Sequence, residues 1–178
     1  MFRRDIVDFL KKWHGSDIRK PLLLRGARQC GKTSAVRLFA GGMPGFMEVN
    51  LEAPGEKVLF RRSLSARELV SSLKLSNSIT AATSESILFI DEIQECPEAI
   101  RYLRFLAEDV PELAVIASGS LLELYLAEMK LEFPVGRLEH AFMYPVSFRE
   151  YLNATGRDDM VEIMNEIPVP AYSVPVIY

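Results

Sequence analysis

Histidine and cysteine are scarce in this chain, with two of each in 178 residues. Cys30 and Cys96 are too few for a disulfide framework and have no metal-ligand spacing. His14 and His140 lie far apart without ligand-type neighbours. Free thiols suit a reducing, cytoplasmic setting. No apolar run reaches the length of a membrane span. The opening Met-Phe-Arg-Arg-Asp-Ile-Val-Asp has acids where a secretory signal would need an apolar core. A membrane partner is therefore not expected. Internal repeats and low-complexity tracts are missing. So is any basic stretch interleaved with aromatics, the pattern that stacks single-stranded bases.

Apolar residues make up 49% of the chain and charged ones 25%, ordinary values for one well-buried α/β domain. The net charge is −3, unevenly spread. Residues 1–40 hold ten Lys/Arg against three Asp, and the remainder eleven against twenty-one Asp/Glu. Arg25, Arg28 and Lys32 belong to a motif described below. Arg3, Arg4, Lys11, Lys12, Arg19 and Lys20 read as a solvated helix face, or as a surface for nucleic acid or an acidic partner.

Periodicity predicts alternating strands and helices. Phe2, Ile6, Phe9, Leu10 and Trp13 share a helix face that Gly15 ends, and Trp13 reads as a packing residue. Strands are expected at 22–25, 46–51, 86–91, 113–117 and near 141–144. Helices are expected at 32–40, in two pieces over 54–75, from Pro97, over 121–129, from a Ser147 cap to 152, and over 157–167. Such alternation implies a doubly wound parallel sheet between helices, with ligands at the carboxyl ends of the strands.

Gly26-Ala27-Arg28-Gln29-Cys30-Gly31-Lys32-Thr33 is a complete G-x-x-x-x-G-K-[ST] phosphate loop. It follows an apolar strand and opens a helix, the context the motif requires. Glycines let backbone N–H groups turn inward around phosphates, and the helix N-terminus adds partial positive charge. The nucleotide-binding set is then Gly26, Ala27, Arg28, Gln29, Cys30, Gly31, Lys32, Thr33 and Ser34. Lys32 is placed for the β- and γ-phosphates and the Thr33 hydroxyl for Mg²⁺. Arg28 either touches phosphate or points to solvent. Cys30 is either a small side chain that fits or a thiol activated by the helix N-terminus.

Ile87-Leu88-Phe89-Ile90-Asp91-Glu92 has the form of a buried Walker B strand ending in two acids. Asp91 is expected on Mg²⁺, and Glu92 is placed to orient and deprotonate water. No Asn-Lys-x-Asp stretch of the kind that selects guanine is present, so ATP is the expected nucleotide. Ser118 follows a third central strand and either senses the γ-phosphate or caps a helix. For Ser120 the cap is the simpler reading. Arg137, before the fifth strand, is either an arginine finger, in its own subunit or a neighbour, or a structural ion pair. A finger in trans would demand a homo-oligomer.

These segments resemble a family of prokaryotic AAA-like P-loop ATPases with a separate C-terminal domain of the DUF4143 type. Lys20 to Thr33, Leu88 to Glu95, Ala117-Ser118-Gly119-Ser120 and Gly136-Arg137 carry the resemblance. Tyr144-Pro145-Val146-Ser147-Phe148-Arg149-Glu150-Tyr151-Leu152 is its most family-specific stretch. The resemblance implies an ASCE-type sheet with the phosphate-loop strand central. It also implies Lys32 and Thr33 on phosphate and Mg²⁺, Asp91 on Mg²⁺ and Glu92 as base. The expected organisation is an ATPase domain over 1–155, with 156–178 a linker or the start of a truncated C-terminal region. The function expected is Mg²⁺-dependent ATP hydrolysis coupled to an unknown macromolecular client. A non-hydrolysing, ATP-dependent regulatory module is the alternative. A small-molecule phosphotransferase ranks last, because the possible lid at 121–135 holds no arginine.

Overall fold

The computed structural model describes residues 3–120 and 136–166. The helix expected over 121–129 lies outside the described residues. Two compact units are present, Ile6–Pro145, and Met1–Asp5 with Val146–Tyr178.

The larger unit is built on five strands: β1 (Leu22–Arg25), β2 (Gly45–Asn50), β3 (Ser86–Asp91), β4 (Ala114–Gly119) and β5 (Glu139–Phe142). Their order is β2-β3-β4-β1-β5, and every neighbouring pair is parallel. Parallel pairing needs crossovers, which the helices supply. These are α2 (Lys32–Ala40) between β1 and β2, α3 (Lys57–Arg61) and α4 (Ala66–Ser76) between β2 and β3, and α5 (Pro97–Asp109) between β3 and β4; α1 (Asp5–His14) precedes β1. Strand side chains alternate between two cores. Leu22, Leu24, Ile87, Phe89 and Ile116 pack with Val7, Leu10 and Trp13 of α1 and Val36 and Phe39 of α2. Leu23, Leu88, Ile90 and Val115 pack with Phe60, Leu69, Leu73, Ile100 and Leu103 on the other face. All six residues of β3 and of β4 are buried, which is why these strands read as continuous apolar runs.

Two expectations shift. The phosphate-loop strand β1 is interior, but the middle of the sheet is β4, which separates β1 from β3. The fifth strand starts two residues earlier than the apolar pattern suggests. Glu139 N–H donates to the Pro21 carbonyl (2.9 Å) and Met143 N–H to Arg25 (2.7 Å), and these bonds fix the register. As an edge strand β5 buries only Ala141, so its polarity hid its start.

In the smaller unit α6 (Phe148–Ala154) and α7 (Asp158–Glu166) follow one another across Gly156, whose φ is 70°. Ser147 and Glu150 form a capping box at α6. The buried Glu150 carboxylate also accepts from Arg4 Nε (3.0 Å) and the Asp5 N–H (2.9 Å).

Candidate nucleotide site

The loop between β1 and α2 begins at Gly26, where φ is 153° and a Cβ would lie 2.2 Å from the Met143 carbonyl oxygen. Gln29 (φ 63°) and Gly31 (φ 94°) are left-handed. Positive φ at these places turns successive N–H groups toward one side, the geometry of an anion nest. The N-terminus of α2 carries no side-chain cap and no acid in its first turn. Its orphan N–H groups and the positive end of its dipole are therefore left for a ligand. Capping boxes are present at Ser65/Glu68 and Ser147/Glu150, whereas α3 and α5, like α2, begin without a side-chain cap.

Lys32 is 5% exposed, and its ammonium donates to the carbonyls of Gly26 and Ala27, both at 2.9 Å. An ammonium has three donors, so these two bonds leave it one more to give. Thr33 Oγ1 donates to Asp91 Oδ2 at 2.6 Å. The other carboxylate oxygen, Oδ1, accepts from Ser118 Oγ and from the Glu92 N–H (3.1 Å). The strand order explains this meeting. Ser118 is next to last in β4, the strand between the two motif strands, with Leu24 beside it on one flank and Ile90 beside Ala117 on the other. The serine thus reaches the acid at the end of β3. Ser118 Oγ is thereby held beside the acids at the carboxyl edge, and the helix it was alternatively expected to cap lies outside the described residues.

Glu92 is left-handed (φ 51°, ψ 51°) and opens a 3-10 turn over Ile93–Glu95. Its Oε2 accepts from Gln94 Nε2 at 2.6 Å and from Ser120 Oγ at 3.3 Å. Sequence reasoning gave Gln94 no role, and the helix that Ser120 was expected to cap lies outside the described residues. The available signal was the spacing, since a tight turn returns residue i+2 toward residue i.

Other expected members stand differently. The Arg28 side chain is 77% exposed and lies 3.8 Å from Glu52. Ala27 is exposed in the loop and Ser34 at the start of α2, while Cys30 is buried. Arg137 is not with them. It pairs with Glu108 in the last turn of α5 and precedes β5, whose first residue pairs with Leu22, the start of β1. That is the amino edge of the sheet, whereas the phosphate loop leaves the carboxyl edge. Arg137 therefore stands beside Glu108 at the edge of the sheet opposite the phosphate loop.

The loop, the acids and the serine all gather at the carboxyl edge of a five-stranded parallel sheet. The sequence matches the AAA domain family over residues 18–152. The chain belongs to that family. The match covers every strand and α2 to α5, so the AAA domain includes all the motif residues above. A Walker-type ATPase of Pyrococcus abyssi has a similar structure, at TM-score 0.53 and 19% identity, covering 96% of this chain. This chain spans 60% of that protein's length, and at such identity the likeness speaks for the fold. No curated protein matches the chain. The family and the fold support reading the chain as a P-loop nucleotide-binding module.

The residues fit Mg²⁺ as a partner of the nucleotide. No cluster of three or more His, Cys, Asp or Glu among the described residues could hold a metal alone. One hydroxyl and one carboxylate 2.6 Å apart, Thr33 and Asp91, suit a cation that takes the rest of its oxygens from phosphate and water.

Proposed function

We propose that this AAA domain binds ATP on the loop 26–33 and hydrolyses it, coupling the cycle to a macromolecular client. The observation that carries this reading is the convergence of Lys32, Thr33, Asp91 and Glu92 beside the uncapped start of α2. In this reading the backbone N–H groups from 27 to 33 cradle the phosphate chain. Lys32 leaves its loop carbonyls for the β- and γ-phosphate oxygens and offsets charge developing on them. Thr33 and Asp91 would hold Mg²⁺, which supplies further charge neutralisation when bound. Glu92 accepts a proton from the water whose oxygen attacks the γ-phosphorus, while the bond to the β,γ-bridging oxygen breaks. The exposed Lys11 and Lys12 on α1 favour nucleic acid as client over a neutral surface. In this reading Arg137 serves the nucleotide of a neighbouring copy of the chain.

The test is ATP turnover with Mg²⁺ for this chain, beside Lys32→Ala and Glu92→Gln, with nucleotide binding measured in parallel. Loss of turnover in both, with binding kept in Glu92→Gln, supports hydrolysis. Tight binding without turnover in the unsubstituted chain points instead to a regulatory module. Absence of binding removes the proposal.

A further inference from the structure

We propose that Gln94, together with Ser120, is a positioning residue that sets the carboxylate of Glu92, an inference that rests on the hydrolysis reading above. Glu92 follows the last residue of a buried strand in a left-handed conformation that non-glycine residues seldom adopt. The turn that follows is what returns Gln94 to it, with Cys96 N–H donating to Ile93 (3.2 Å) and Glu95 N–H to Glu92 (3.0 Å).

The amide of Gln94 is oriented by Glu92 and not by its own needs. Its Nε2 donates to Glu92 Oε2 at 2.6 Å, while its Oε1 is buried with no partner. Turning the amide over would set a carbonyl oxygen against a carboxylate. A charge-assisted bond therefore holds the side chain in place although an acceptor is left unpaired. Ser120 Oγ approaches the same oxygen from the end of β4. Two donors from separate segments fix Oε2 and with it the plane of the carboxyl group. The Oε1 atom is left to take the proton. A general base works only within hydrogen-bond reach of its proton, so a freely rotating Glu92 would spend much of its time misdirected.

The experiment measures kcat and KM for ATP in Gln94→Ala, Gln94→Glu and Ser120→Ala, with nucleotide affinity and thermal midpoint for each. Gln94→Glu keeps the shape and exchanges the donor for an acceptor. The expected result is a fall in kcat of about tenfold or more in both Gln94 variants, at unchanged KM, affinity and midpoint. A smaller fall is expected in Ser120→Ala, whose bond is longer. Turnover in Gln94→Glu equal to that of the unsubstituted chain would mean that the residue only fills space, and would overturn the proposal. So would losses in affinity or midpoint that parallel the loss of kcat. An unsubstituted chain that binds ATP and never turns it over sinks the hydrolysis reading and this inference together. Unimpaired turnover in the variants sinks this inference alone.

Discussion

Gly26 is hemmed in by backbone. A methyl group there would sit 2.2 Å from the Met143 carbonyl oxygen and 3.1 Å from Cys30 Sγ. The first neighbour is bound into the β1–β5 ladder through its N–H and cannot drift away. Gly26→Ala should therefore cost about 1–3 kcal/mol in chemical denaturation and weaken nucleotide binding as the loop shifts. Thr33 makes the opposite kind of prediction. Its hydroxyl touches Asp91 at the surface of the site, so Thr33→Ala should leave the fold within about 1 kcal/mol of the unsubstituted chain. ATP affinity measured with Mg²⁺ should fall severalfold, and affinity measured in chelator should not change. Equal losses in both conditions would remove Thr33 from the metal. At this scale the phosphate loop and the two acids were legible because one short motif places each of them by chain geometry. Gln94 and Ser120 were not, because their bonds to Glu92 depend on a turn and on a strand far away in sequence.

Among the elements, α6 shows how one acid can serve two ends. Glu150 closes the capping box on Ser147 and binds Arg4 and the Asp5 N–H, all within the smaller unit. Burial pushes its carboxyl up, but the N–H groups of Ser147 and Asp5 and the Arg4 guanidinium outweigh it and hold the group below the ordinary Glu range. The unfolded chain thus takes up this proton first as the pH drops. The stabilisation is complete above about pH 5 and is lost as the pH falls through the lowered folded value. Glu150→Gln should cost about 1–2 kcal/mol at neutral pH, read from hydrogen exchange of α6 amides. The difference between the two proteins should shrink toward zero in acid; a difference independent of pH would rule out the charge as its source. The Ser147 start was legible because a capping box is local. The start of β5 was not, because an edge strand that buries one side chain of four gives no alternation to read.

For the whole molecule the sheet order decides where each motif can act. The parallel, helix-covered sheet could be read from alternation, since strands buried on both faces show as apolar runs. The order β2-β3-β4-β1-β5 could not, because pairing across a crossover leaves no local trace. With the order known, Arg137 lies at the amino edge with Glu108 while the phosphate loop lies at the carboxyl edge. Three residue steps of strand separate Leu22 from Arg25, about 10 Å along the sheet. An arginine at that edge can meet a γ-phosphate only on a second copy of the chain. Its pairing with Glu108 is solvent-exposed and worth at most about 1 kcal/mol, so removing it should barely touch the fold. Arg137→Ala should then bind ATP normally. Its turnover should match that of the unsubstituted chain when both are dilute, and fall behind as the unsubstituted chain gains specific activity with concentration. Turnover and light scattering measured over one concentration series check this. Identical curves for the two proteins would return Arg137 to the structural ion pair, and the chain would need no neighbour to complete its site.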